Sequence, residues 1–324
     1  MLSLSQYHQM FTDHIEKYTI SAVPENLYAP VNYILSLEGK RIRPILTLVS
    51  TDVFSGSAKK ALDAALAGEI FHNFSLVHDD IMDSADLRRG NITVHKKWDS
   101  NTAILSGDVM LILAYQIFEN YEANIFVPMA TLFSKTAIKV CEGQQLDIDF
   151  EKKKEISLDE YLLMITCKTA ELIGVAMKMG AIIAYATLEE QEKIYEFGKN
   201  LGIAFQLQDD YLDCFGNEND FGKKIGGDII ERKKTFLYIK TLELISGDEK
   251  SNFISLYNSP YDNSKDKITL VKDMYNKCNI ENEVTAEIQK YTDSAFQILE
   301  SLKLPKEKNE FLQNIGNSLM QRKI

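Results

Sequence analysis

Between residues 129 and 259 the chain has no proline; its six prolines stand at 24, 30, 44, 128, 260 and 305. Proline breaks helix interiors, because it lacks an N–H and its ring strikes the preceding turn. So long a gap admits several uninterrupted helices, and the apolar spacing agrees. Over 187–212, Ile194, Phe197, Leu201, Ala204 with Phe205, Leu207, and Tyr211 with Leu212 recur every three or four residues. Thr187 with Glu190 suits a capping box at the start of that helix, and Ser157 with Glu160 suits another ahead of YLLMITCKTAELIGVAMKMGAIIAYA. Similar spacing marks 60–83, 103–118 and 128–146. No run alternates as a strand would, and no repeat, low-complexity tract or linker divides the chain. Residues 216–228 and 246–266, rich in Gly, Asn, Asp and Ser, read as loops. The expectation is an all-α single domain over 1–324 with about ten to twelve helices.

The net charge of −11 argues against a nucleic-acid partner. It also makes anionic substrates awkward unless cations or local basic clusters receive them. Cys141, Cys167, Cys214 and Cys278 lack paired metal-ligand spacing and read as reduced, buried thiols in a reducing compartment. The polar N-terminus does not read as a signal peptide, and no apolar run approaches the roughly 20 residues of a membrane span. A cytoplasmic protein is expected.

Acidic residues concentrate in two places. FSLVHDDIMD (74–83) and FQLQDDYLD (205–213) each place three aspartates directly after an apolar helical run. On a helix, i and i+4 share a face, so Asp79 aligns with Asp83 and Asp209 with Asp213, with Asp80 and Asp210 beside them. Burying such rows costs free energy unless something compensates. Mg²⁺ does so: it takes hard oxygen ligands and is commonly shared between one or two carboxylates and substrate phosphates. Two opposed rows would make a jaw for a metal-bound diphosphate.

Basic residues accompany the rows. In EGKRIRP (38–44), Lys40 and Arg43 flank a helix start, where backbone N–H groups favour anions. Arg88 and Arg89 follow the first acidic row, and arginine suits diphosphate through its bidentate, permanently charged fork. Lys168, Lys223, Lys224, Lys233 and Lys234 follow. His72 lies two helical turns before Asp79. His78 points to a different face from the carboxylates and reads as structural, while Asp108 reads equally well as a supporting or a helix-terminal carboxylate.

Together GKRIRP, FHNFSLVHDDIMDSADLRRG (71–90), AILSGDVML (103–111), EGQQLD (142–147), the Lys168-Thr169 pair, FQLQDDYLDCFG and FGKKIGGDIIERKKT (221–235) resemble the trans-isoprenyl diphosphate synthases, or polyprenyl synthetases. The resemblance runs from about residue 30 to about 240. It implies the isoprenoid synthase fold, a helical bundle around a central cavity, and a homodimer. It implies that Asp79, Asp80, Asp83, Asp209, Asp210 and Asp213 hold Mg²⁺, about three ions per site, and the allylic diphosphate. Arg88, Lys168 and Lys223 would hold that diphosphate too, with Lys224 equally able to fill the place of Lys223; Lys233 matches a further lysine. Lys40, Arg43, His72 and Arg89 would bind isopentenyl diphosphate. Gln144, Asp147, Thr169 and Gln206 would line the reacting region, and the basic tail 321–324 could fold over the isopentenyl site or simply fray.

The implied reaction adds isopentenyl diphosphate to dimethylallyl, geranyl or farnesyl diphosphate, giving a short all-trans prenyl diphosphate. In the family, bulky residues four and five positions before the first motif stop elongation. Phe74 lies roughly 7–8 Å along the helix from Asp79, with Ser75 beside it and Phe71 one turn deeper. One aromatic and one small residue there resemble the geranylgeranyl (C20) synthases, with C15 as the alternative and C25 as the longer limit. A class I terpene cyclase and a non-catalytic synthase subunit are the competing readings. Each fits less well, because a second DDxxD and paired basic residues are present.

Overall fold

The computed structural model describes residues 1–216, 225–259 and 264–321. Lys223 and Lys224 therefore lie outside the described residues, as do Arg322, Lys323 and Ile324 of the tail. Helices dominate: α1 Leu4–Ile15, α2 Glu25–Ser36, α3 Ile42–Val53, α4 Leu62–Met82, α5 Val94–Lys97, α6 Ser100–Phe118, α7 Ala123–Lys152, α8 Leu158–Ile165, α9 Glu171–Ile183, α10 Leu188–Phe215, α11 Gly227–Glu231, α12 Phe236–Leu244, α13 Gly247–Asn258, α14 Ser264–Lys277, α15 Ile280–Ser301 and α16 Lys306–Met320. Both expected capping boxes form, with the Ser157 hydroxyl accepting from Glu160 N at 3.2 Å and the Thr187 hydroxyl accepting from Glu190 N at 3.3 Å. Such caps contribute about 0.5–2 kcal/mol each.

Three local departures from the sequence expectation matter. The 158–183 run is two helices joined by a single π turn at Thr166–Ala170. Residues 247–258, expected as loop, are helical because Phe253 and Tyr257, one turn apart, are buried against Tyr238 and Tyr275. And an antiparallel two-residue ribbon pairs Leu87 with Ile92 and Arg88 with Asn91. Its turn places Arg89 and Gly90 at φ +52° and +74°, the geometry of a two-residue hairpin. Such a φ costs a residue other than glycine about 1–2 kcal/mol, so something must hold Arg89 there.

Two apolar cores meet along α10. Leu201 packs with α1, α3, α4, α9 and α16 residues, while Ile203, Ala204 and Leu207 pack with α8 and α12–α15 residues. α6 lies against α4, yet Ile104, Leu105 and Ile112 on its other side are 43%, 58% and 63% exposed. Among the described residues α6 is the one helix long and apolar enough to cross a membrane by length and composition. A core helix packed on its neighbours, as α6 is on α4, passes the same test.

Candidate active site

Helices α4, α7 and α10, with the π turn, bring the predicted residues to two adjoining cavities. One, about 330 Å³, is lined by Arg43, His72, Phe74, Ser75, His78, Asp79, Val140, Cys141, Gln144, Lys168, Thr169 and Leu172 among others. The other, about 150 Å³, is lined by Asp83, Asp147, Tyr161, Lys168, Thr169, Gln206, Asp210, Asp228 and Lys233 among others. Lys168 and Thr169 face both. The first acidic row therefore meets the second across the π turn.

Lys168 Nζ lies 2.6 Å from Asp147 Oδ2 and 3.3 Å from Asp79 Oδ1. Burial disfavours its charge, but Asp79 and Asp147 more than offset that and raise its pKa. Thr169 donates to Gln206 Oε1 at 3.1 Å, and Gln206 donates to Asp210 Oδ1 at 3.2 Å. Asp83 remains solvent-accessible, yet the cleft walls and Asp79 one turn back push its pKa up to about 6. Asp210 is buried. It accepts from the Tyr161 hydroxyl and from Phe236 N at 3.4 Å, and burial pushes it up to about 7 against the hydrogen bonds from Tyr161 and Gln206. Asp228 is raised as well, by burial and then by Asp210 and Asp213.

The six aspartates are thus not equivalent. Asp79 and Asp83 face the cavities. Asp80 is buried against Arg88, whose Nε and Nη2 donate to its Oδ1 at 2.9 and 2.5 Å. Asp213 accepts from Asp228 N at 3.0 Å and so fixes the start of α11. Asp209 is placed where its charge is felt by Arg43. Among the described residues no three His, Cys, Asp or Glu side chains converge on one metal-sized point. Burial first, and like charge after it, raises Asp83, Asp210 and Asp228, and a bound cation would oppose both effects. The carboxylate oxygens of Asp79 and Asp83 face the cavities, and oxygens of that kind suit a hard divalent cation.

A basic wall stands beside them. Arg43 Nη1 lies 3.2 Å from His72 Nε2. Arginine can only donate, so this nitrogen of His72 is unprotonated. Burial lowers the histidine pKa well below its ordinary value, and Arg43, Arg89, Arg88 and Arg41 lower it further. Arg43 Nε and Arg89 Nη1 are buried without a partner, which is costly unless an anion completes them. A diphosphate fits that deficit. Gly39 admits Arg89: a Cβ there would lie 3.0 Å from the guanidinium carbon. Lys40 lies apart from Arg43 and His72, lining a groove of about 770 Å³ between α1 and the 38–41 loop.

Sequence reasoning missed Arg41, Tyr161 and Asp228. Arg41 is buried, donates to Glu69 and to the carbonyls of Leu35 and Leu37, and so fixes the loop that leads into Arg43. Lys233 lies 2.8 Å from Glu231 and 4.0 Å from Asp228 at the cavity edge. Lys234 donates to Phe150, Glu151 and Lys153 carbonyls at the end of α7. The Gly-Gly turn before Asp228 was the only local signal for that residue.

Along the larger cavity, Phe74 forms a wall. His78 packs edge-on to it at 4.9 Å and reaches Ile104 O at 3.1 Å, in a notch left by Gly107. The histidine read as structural therefore also lines the cavity. Asp108 is exposed, 3.8 Å from His78. Ser75 donates to the His72 carbonyl, and Gln144 reaches Met82 Sδ at 3.7 Å. Phe71 sits behind Phe74, 5.4 Å between ring centres, and against Phe133 at 4.8 Å.

The polyprenyl synthetase family model matches residues 24–276. A geranylgeranyl diphosphate synthase from Sulfolobus acidocaldarius is 40% identical over 242 residues, covering 74% of this chain and 73% of that one. A crystal structure of a geranylgeranyl pyrophosphate synthase matches with TM-score 0.94 and 45% identity over 99% of each chain. The geranylgeranyl pyrophosphate synthase of Corynebacterium glutamicum, complexed with isoprenyl diphosphate and magnesium, matches with TM-score 0.84 and 26% identity over 98% of each chain.

The Asp210 environment gives a pH prediction. An unfolded aspartate titrates near pH 3.9. From about pH 4 to about 7 the unfolded chain has lost a proton that folded Asp210 retains, so metal-free stability falls as pH rises through that window. Thermal melts in a chelator at about pH 5 and about pH 7.5 should show this loss, and Asp210→Asn should lessen it; equal losses would contradict the assignment.

Proposed function

Because this chain belongs to the polyprenyl synthetase family, we propose that it joins isopentenyl diphosphate to allylic diphosphates and releases geranylgeranyl diphosphate as its main product. The carrying observation is the sequence of environments around one opening: unpartnered arginine nitrogens, then carboxylates short of cations, then an apolar cavity ending at Phe74. The same reading takes 1–324 as one polyprenyl synthetase domain, with α10 shared by both cores, in a cytoplasmic setting consistent with four free cysteines, of which Cys167 and Cys214 are buried whereas Cys141, against expectation, is exposed and Cys278 half-buried.

Arg43, Arg89 and His72 bind the isopentenyl diphosphate, while Lys40, in its separate groove, is not needed for this reading. A neutral His72 adds a hydrogen-bonding group without competing for the charge of the arginines. Lys168, steered by Asp147, and Arg88, steered by Asp80, hold the allylic diphosphate; Lys223 or Lys224 and Lys233 belong to the same role. Bound Mg²⁺, held by Asp79, Asp83 and the second acidic row, supplies Lewis-acid stabilisation of the leaving diphosphate. The bond from the allylic C1 to its diphosphate oxygen breaks, the isopentenyl double bond attacks that carbon, and a proton leaves the neighbouring carbon, for which the departing diphosphate is the nearest base. Thr169 and Gln206 turn oxygens toward the developing cation, while Phe74, Val140 and Leu172 keep water away.

A second copy of the chain covers Ile104, Leu105 and Ile112. Exposed Asp108 on the same face of α6 favours a protein partner over lipid. Light scattering on the purified protein should give twice the 36.9 kDa chain mass; a monomer at assay concentration would refute the dimer.

Purified protein incubated with labelled isopentenyl diphosphate, farnesyl diphosphate and Mg²⁺ should yield a C20 product and none in a chelator. Absence of any chain extension would overturn the function, and an accumulating C15 product from geranyl diphosphate would overturn the length. Phe74→Ala removes the wall, so products longer than C20 should appear on chromatography; an unchanged distribution would clear Phe74 of this role.

A further inference from the structure

The π turn that carries Lys168 and Thr169 is gripped from both sides by glycines. On α7, a Cβ at Gly143 would stand 2.5 Å from Lys168 N and 2.9 Å from Cys167 C. On α10, a Cβ at Gly202 would stand 2.6 Å from Ala170 Cα and 2.9 Å from its Cβ. Neither glycine has a positive φ, so neither is needed for backbone conformation; both sit inside helices, where glycine costs about 0.5–1 kcal/mol relative to alanine. What they provide is closeness of backbone to backbone.

Each glycine is followed one helical turn later, on the same face, by the residue that captures a side chain of the turn. Asp147, four after Gly143, takes the Lys168 ammonium at 2.6 Å. Gln206, four after Gly202, takes the Thr169 hydroxyl at 3.1 Å. The backbone is set by the missing side chain and the functional group by the polar one, on two helices that approach from opposite sides.

We propose that Gly143 and Gly202 are positioning residues: a two-sided clamp that fixes the π turn so that Lys168 and Thr169 project into the junction of the two cavities. This rests on the prenyl-transfer reading and deepens it. A Cβ on either side must push the turn out, moving the ammonium from Asp79 or the hydroxyl from Gln206. A misplacement of about 1 Å can cost about 10²-fold in rate.

The test uses the full chain. Gly143→Ala and Gly202→Ala should each lower kcat by about 10²-fold, with KM for isopentenyl diphosphate held within about threefold, because Arg43, His72 and Arg89 do not touch the turn. Gly198→Ala is the control. A Cβ there would lie 3.0 Å from Gly174 Cα and from Ile173 O, a close but looser backbone contact of α10 with α9 outside the turn. It should lower the melting temperature while kcat stays. In a Lys168→Ala background, Gly143→Ala should cause little further loss of kcat. Full additivity in that background, or kcat within about threefold of wild type in both alanine variants, would overturn the clamp. If an alanine variant fails to fold, Asp147→Asn tests the side-chain half by the same double-mutant comparison. Wild-type turnover in parallel separates failure of the clamp from failure of the prenyl-transfer reading.

Discussion

One ammonium organises the centre of this molecule. Lys168 stands between Asp79 of α4 and Asp147 of α7, at a π turn, where Asp83, Asp210 and Asp228 also gather. Burial raises the pKa values of Asp83, Asp210 and Asp228, and neighbouring carboxylates raise them further. On the proposed function, ions and a diphosphate would offset the cost of burying carboxylates together.

The opposite imbalance lies a few residues away. Arg43, Arg88, Arg89 and Arg41 surround His72, and two guanidinium nitrogens lack partners. The chain holds this basic cluster with backbone devices: a left-handed Arg89 in a tight hairpin, a glycine at 39 that admits it, and a buried Arg41–Glu69 pair that fixes the loop between α2 and α3. The proposed function uses this contrast: one diphosphate would be received through cations on the carboxylates and the other by arginine directly, with the apolar cavity of Phe74, Val140 and Leu172 between them.

Much of this was legible in the sequence because it follows helical spacing. Periodicity and capping placed α4, α8 and α10, and i,i+4 spacing put Asp79 with Asp83. What spacing could not convey was which carboxylates turn inward against a partner. Asp80 and Asp79 are adjacent in sequence, yet one is consumed by Arg88 and the other faces Lys168. The hairpin at 87–92 escaped notice because two-residue strands carry no alternation. Helix α13 was hidden by polar composition, since only Phe253 and Tyr257 of its length face the core. Tyr161 and Arg41 depend on contacts 49 and 28 residues distant, which no local pattern encodes.

The central claim is that the acidic cleft accepts diphosphate only through divalent ions. Calorimetric titration of inorganic diphosphate into the protein, with Arg43 and Arg89 both replaced by alanine to silence the basic wall, measures this directly. The account predicts binding in Mg²⁺ and none in a chelator, with Asp83→Asn weakening the former. Equal affinity with and without the metal would contradict it.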